Sequence, residues 1–271
     1  MRLSLVVTTY NWKEALDLVL ESVARQVEPP DEVLIADDGS RADTAELVSA
    51  WTRRLPFPLR HVWQEDRGFR VGRIRNRAIA AASGDYVVLV DGDMLLHPCF
   101  VADHRAAARP GYWAQGVRAL SGPDTARRIL TERLTWVSLF SSDITRRRHL
   151  WRSRMLGRLL SRPHTGERSI RSCNQGLWRT DLLRVNGFNE RMSGWGYEDG
   201  ELASRLYHCG IRRRDLRFQA LALHIHHPTR RREGRNPNFE LMQETRRLRL
   251  TRCESGIDQH LAELAREACH G

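Results

Sequence analysis

Short apolar runs alternate with amphipathic stretches through the N-terminal part of the chain, and that alternation leaves few folds open. Leu3–Thr8, Glu32–Ala36, Leu59–Val62 and Asp85–Val90 read as strands. Between them Glu14–Gln26, with Ala15, Leu18, Val19 and Val23 at inward spacing, Thr44–Arg53 and Gly72–Ala82 read as helices. Strands alternating with helices predict an α/β fold with a parallel sheet wound in βαβ units. In such sheets the ligand crevice lies at the carboxyl ends of the strands. That rule gathers Thr8, Asp38 of the turn Asp37-Asp38-Gly39-Ser40, and Asp91-Gly92-Asp93, although they are far apart in the chain.

A chain of 271 residues with 41% hydrophobic content can bury a full core. No apolar run reaches the roughly 18–20 residues that span a bilayer. The N-terminus moves straight into a strand pattern without a cleavage region, so a cytoplasmic protein is expected. Five cysteines without CxxC spacing predict neither disulfides nor a thiolate zinc site. The net charge is +11, and Lys13 is the only lysine among 44 basic residues. A charge of that size calls for an acidic partner: a phosphorylated substrate, an anionic membrane or nucleic acid. No helix-turn-helix, RNA-recognition or zinc-finger signature is present, so no specific nucleic acid is expected.

Several short stretches carry chemistry. Asp91 and Asp93 at the end of a buried strand would repel each other unless a cation neutralised them, and hard oxygen ligands suit Mg²⁺ or Mn²⁺ bridging a diphosphate; the bland alternative is a plain Asp-Gly turn. Leu223-His224-Ile225-His226-His227-Pro228 closes the apolar segment Leu216–Leu223. One of its imidazoles can complete a metal site with Asp93, His224 ranking first and His227 second because they bracket the turn. Asp38 can accept from a nucleobase or a ribose hydroxyl, Thr8 offers a hydroxyl, and Arg70 and Arg73 can face a phosphate at the start of the next helix. In Val185–Leu206, Gly194 and Gly196 flank Trp195, and Glu198 and Asp199 stand where a loop enters a helix. A carboxylate there can take a proton from an incoming hydroxyl, or simply complement the helix dipole. Over 146–171, Arg146, Arg147, Arg148, Arg152, Arg154, Arg158 and Arg162 interleave with Leu150, Trp151, Met155, Leu156, Leu159 and Leu160. The pattern fits a basic amphipathic interfacial helix, or a surface helix that packs its leucines on the core. Arg212–Arg214 and Arg230–Arg232 read as solvated basic runs.

Taken in order, Val6-Val7-Thr8-Thr9-Tyr10-Asn11, Ile35-Ala36-Asp37-Asp38-Gly39-Ser40, Gly72-Arg73-Ile74-Arg75-Asn76-Arg77-Ala78, Val90-Asp91-Gly92-Asp93 and Gly194–Asp199 resemble glycosyltransferase family 2, inverting nucleotide-sugar transferases of GT-A fold. The downstream half is similar to the C-terminal segment of the galactosyltransferase/chondroitin-polymerase group. The resemblance implies a mainly parallel central sheet with flanking helices in one catalytic domain over 1–235. Its nucleotide-binding half is 1–100, its acceptor-binding half 101–235 with the basic insert 146–171, and 236–271 is a helical extension. It also implies that Thr8 and Asp38 hold uridine, Arg70 lies near the base or phosphate, and Asp91 approaches the ribose or sugar. Asp93 would ligate Mn²⁺ or Mg²⁺ with a histidine, Asp199 would be the general base, and Glu198 would orient a sugar. Trp195 would be a platform for a pyranose, and Asn174 and Gln175 would line the donor pocket. The implied function is transfer of a sugar, from UDP by preference, to a hydroxyl of a cell-envelope glycan such as lipopolysaccharide core or a lipid-linked oligosaccharide, with peripheral contact at the anionic inner membrane face. The alternatives are a capsular polysaccharide transferase or polymerase, or a non-catalytic basic protein that binds nucleotide-sugar or nucleic acid. The Asp-Gly-Asp form departs from relatives with two adjacent acids.

Overall fold

The computed structural model describes residues 1–228 and 236–270; the basic run Arg230–Arg232 lies outside them. The chain runs β1 (Leu3–Thr9), α1 (Lys13–Ala24), β2 (Glu32–Asp37), α2 (Ala42–Thr52), β3 (Leu59–Trp63), α3 (Val71–Ala81), β4 (Tyr86–Asp91) and β5 (Met94–Leu96). It continues through α4 (Phe100–Ala107), β6 (Tyr112–Gln115), β7 (Arg118–Leu120), α5 (Pro123–Glu132), α6 (Arg154–Leu160), β8 (Pro163–His164), β9 (Asn174–Trp178) and α7 (Arg179–Val185). The last elements are α8 (Glu198–His208), β10 (Arg212–Asp215), β11 (Ala222–His224), α9 (Pro237–Arg247) and α10 (Ile257–His270). Each strand and helix of the N-terminal part lies within a residue or two of its expected bounds.

The main sheet has the order β3-β2-β1-β4-β9-β6-β10-β8. Its first four strands are mutually parallel, while β9 runs antiparallel to β4 and β6. The order reverses between β1 and β4, which opens a crevice at their carboxyl ends. The period-2 geometry of β1 sends Leu3, Leu5 and Val7 into the core layer shared with α1 and α2, and Val6 into the layer shared with α3. Both faces are therefore buried, as the unbroken apolar character of β1, β2 and β4 requires.

A second sheet has the order β5-β11-β7. Antiparallel pairing sets His224 opposite Met94, and the Ile225 N–H donates to the Asp93 carbonyl at 2.9 Å. Only Ala222 and Leu223 of the apolar segment 216–223 are strand, β11 ending one residue later at His224. Leu216, Ala220 and Leu221 are buried in irregular chain beneath it.

Two expectations are corrected. Arg212–Arg214 is not a solvated run but part of β10, parallel to β6; Arg213 is buried, donates to the Arg168 carbonyl and pairs with Asp215. The stretch 146–171 is not one helix: a 3₁₀ turn at Arg147–Leu150, the seven-residue α6 and the two-residue β8 are joined by irregular chain. Arg152 breaks the run by reaching inward, where its guanidinium grips buried Asp103 at 2.9 and 2.6 Å.

The helices after residue 236 pack into the domain. Thr245 of α9 donates to Glu201 of α8 at 2.9 Å, and Glu190 binds Asn76 of α3 and Gln259 and His260 of α10. Beneath α8, Arg205 and Glu201 form a fully buried ion pair, 2.9 and 2.5 Å. Removing one member strands the other charge in a medium that cannot solvate it. Arg205→Leu is expected to lower unfolding free energy by about 3–5 kcal/mol in urea titrations. A loss below about 1 kcal/mol would show the pair to behave like a surface bridge.

Candidate active site

The cleft at the carboxyl ends of β1 and β4 has a volume of about 630 Å³ and is lined by Thr8, Asp38, Asp91, Asp93, Trp195, Glu198, Asp199 and His227, among others. Parallel register places Thr8 beside Asp91. Gly92 must be glycine for a packing reason: its N–H donates to the Thr8 carbonyl at 2.6 Å, and a Cβ would stand 2.9 Å from that same oxygen. The Asp-Gly-Asp stretch is thus seated against β1, with a carboxylate on either side of the contact.

Among the described residues, Asp93, His224 and His227 bring ligand atoms within 4.8 Å of one another. Oδ2 of Asp93 lies 3.3 Å from Nε2 of each histidine, and its buried Oδ1 has no hydrogen-bond partner. Burial opposes the Asp93 charge, but the two imidazoles outweigh it and hold the carboxyl well below the usual range. Hydrogen bonding to Asp93 raises His227 in turn. One carboxylate with an unused oxygen and two imidazoles form a donor set that fits Mn²⁺. His226 points its chain elsewhere: it is exposed, and its N–H is held by Ser121 at 2.9 Å.

Glu198 and Asp199 open α8. The turn before them carries positive φ at Gly194 (74°), Gly196 (105°) and Tyr197 (71°), the last an uncommon conformation for a bulky residue. Asp199 Oδ2 accepts from the Ser172 N–H at 2.9 Å; Oδ1 is buried without a hydrogen bond, 4.0 Å from Arg75. Trp195 is largely exposed at the lip.

Asp38 lines the cleft, yet its oxygens already accept from Gln64 at 2.6 Å and from the Arg70 N–H at 2.9 Å. Burial raises its pKa. Four expected residues are placed otherwise. The guanidinium of Arg70, just before α3, donates to the Glu65 carbonyl, and Arg73 of α3 pairs with Glu190. Asn174 and Gln175 lie within the sheet: Asn174 binds His104 and the Val117 and Ala220 carbonyls, and Gln175 faces Gln115. Their neighbours Ser172 and Cys173 line the cleft instead.

Arg75 was not anticipated. Its buried guanidinium donates to Asp91 at 2.8 Å and to the Thr8 hydroxyl at 3.1 Å. The signal lay in the periodicity: Arg75 is four residues after Val71 and beside Ile74, on the inward stripe of α3. Arg118, Arg171, Met242 and Arg246 also line the cleft. Arg118 donates to Cys173 Sγ at 3.3 Å and keeps a buried Nε without a partner. Burial, then repulsion from Arg118 and Arg146, lowers the Arg171 pKa.

Burial, reinforced by the neighbouring Asp199, pushes the Glu198 carboxyl from 4.5 up to about 7. The folded state therefore holds this proton more tightly than the unfolded chain. Its contribution to stability is complete below 4.5 and is lost as pH rises through about 7. Glu198→Gln, with no proton to lose, should gain on wild type by about 2–4 °C in melting temperature between about pH 5 and pH 8. A difference that stays constant across that range would refute the raised carboxyl.

Comparison with known proteins fits this geometry. A model described as glycosyl transferase family 2 matches residues 4–181, and one described as N-terminal domain of galactosyltransferase matches 156–229, which contains Asp199, His224 and His227. Validoxylamine A glucosyltransferase of Streptomyces hygroscopicus subsp. limoneus is 34% identical over 223 residues, 77% of this chain and 48% of that protein. The chondroitin synthase of Escherichia coli is 28% identical over 267 residues, 89% of this chain and 38% of that protein. The chain thus spans half or less of the length of these curated relatives. The crystal structure of GalNAc-T7 with UDP, GalNAc and Mn²⁺ superposes with a TM-score of 0.66 at 12% identity, over 90% of this chain and 48% of that one, a likeness of fold alone. The main sheet, the crevice at its switch point and the two matched segments together make the chain a member of glycosyltransferase family 2, with the GT-A fold.

Proposed function

We propose that the protein is a metal-dependent, inverting transferase that moves a sugar from a UDP-sugar to a hydroxyl of a cell-envelope glycan. The observation that carries this is the pairing of two unlike acidic centres across one cleft: Asp93 with two imidazoles on one side, and Asp199 with an unpartnered buried oxygen on the other. A divalent ion held by Asp93, His224 and His227 would neutralise charge on the departing diphosphate.

The protein's own groups account for the rest. Thr8 and Asp38 stand where a nucleoside enters between β1 and β2. Arg75 fixes Asp91 and Thr8 against each other, and the free Nε of Arg118 offers a donor to phosphate oxygens. Trp195 presents an indole face to a pyranose. The Ser172 N–H orients Asp199, whose Oδ1 takes the proton of the acceptor hydroxyl as that oxygen bonds to the anomeric carbon. The bond from that carbon to the diphosphate breaks in the same displacement, and the anomeric configuration inverts. Glu198, protonated near neutrality, can donate a hydrogen bond to a sugar hydroxyl. Likeness to the E. coli chondroitin synthase favours, as a second reading, an acceptor that is a capsule-type glycan. The arginines 118, 171 and 246 along the cleft suit an acidic acceptor under either reading.

The test is UDP release from UDP-glucose, UDP-galactose, UDP-GlcNAc and UDP-GalNAc with candidate glycan acceptors, in Mn²⁺ or in EDTA. Asp199→Asn should lower kcat by at least about 100-fold with donor KM little changed. Turnover untouched by that variant removes Asp199 as the base. Separately, His224→Ala and Asp93→Asn should each weaken Mn²⁺ binding, followed by electron paramagnetic resonance, by about tenfold or more. Affinity equal to wild type would place the metal elsewhere.

A further inference from the structure

The segment 144–166 contains seven arginines and no acidic residue, between Asp143 and Glu167. Its helix α6 is built the reverse of an ordinary surface helix. The residue buried against the protein is Gly157, and a Cβ there would stand 2.9 Å from the Arg217 carbonyl oxygen. The large apolar residues face out: Met155 is 69% exposed, Leu159 63% and Leu160 42%, with Trp151 just before the helix at 56%. Polar anchors hold this face outward. Arg152 grips Asp103, the Ser153 N–H donates to the Phe218 carbonyl at 3.0 Å, and the Ser153 hydroxyl caps the helix at the Leu156 N–H. Met155 and Leu159 lie one turn apart on one stripe, and exposed Arg154 and Arg158 lie one turn apart on the adjoining stripe.

From these features we infer that α6 and Trp151 dock the enzyme on an anionic bilayer surface. Exposed leucine, methionine and tryptophan bordered by arginine match the two terms of interfacial binding, shallow apolar insertion and attraction to acidic headgroups. A bilayer is favoured over a protein partner because the rim is wholly cationic, whereas a self-complementary face would need charges of both signs. Among the described residues no helix is long and apolar enough to cross a membrane, so this contact lies on the surface. Seven residues after α6 the chain reaches Glu167, and Ser169, Ile170 and Arg171 beyond it line the active cleft. Docking would bring that rim toward an acceptor carried on lipid.

Co-sedimentation of the full chain with vesicles tests this. Phosphatidylglycerol mixed into phosphatidylcholine should capture the protein, phosphatidylcholine alone should not, and high salt should release it. Met155→Ser with Leu159→Ser, and Arg154→Gln with Arg158→Gln, should each lower partitioning by about tenfold or more. Arg127→Gln with Arg128→Gln on α5, an equal loss of net charge, should leave it unchanged. None of these residues belongs to the catalytic cleft, so UDP release from a soluble donor should stay at the wild-type level in all three variants. The inference is overturned if wild type ignores phosphatidylglycerol vesicles. It is equally overturned if the α5 pair matters as much as the α6 pair. A lipid-free dimer, seen by light scattering, that Leu159→Ser dissociates would assign the face to a second copy.

Discussion

Four carboxylates, Asp91, Asp93, Glu198 and Asp199, face one cleft, and such a concentration of like charge survives only where countercharge is built in. Each acid is neutralised in its own way. Asp91 is held by the buried guanidinium of Arg75, Asp93 by two imidazoles, and Asp199 by a backbone N–H with Arg75 at longer range. Glu198, with the least help, keeps its proton to about 7. The division is chemical: the best-compensated carboxylate is fit to hold a cation, and the least-compensated can donate a proton. Asp199, held through one oxygen by the Ser172 N–H, keeps the other to spare.

That arrangement rests on three separate pieces of backbone. The β1–β4 register brings Thr8 to Asp91, and Gly92 lets the two strands close. The β5–β11 pairing carries His224 across the chain to Asp93. The left-handed turn ending at Tyr197 aims the start of α8 into the opening, with the Glu201–Arg205 pair and α9 fixing that helix from below. The cost of burying an ion pair beneath α8 is reasonable where the helix must hold its first turn in one place.

Surface chemistry follows a different logic. The excess of arginine is spread unevenly: some guanidiniums are spent inside, as at Arg75, Arg152, Arg205 and Arg213, and others gather where no acid answers them. Net charge therefore says little about any one arginine. Placement in the fold decides whether it is a strut, a phosphate donor or part of a cationic rim.

The N-terminal elements were legible in the sequence because each strand there is a continuous apolar run and each helix an amphipathic one, so local periodicity is enough. The same reasoning located Thr8, Asp38, Asp91 and Asp93, since a parallel sheet exposes the ends of its strands. Past residue 100 the strands shrink to between two and five residues, and their identity comes from partners distant in the chain. An arginine run could thus become β10, and the apolar stretch 216–223 could supply only two strand residues. Which histidine meets Asp93, which arginine turns inward from α3, and why Asn174 is spent on the sheet depend on register and on side-chain direction. Composition and spacing determined an α/β fold with acids at its strand ends; which groups face one another across the cleft was decided by long-range pairing, where a shift of one residue sends a side chain to the opposite face.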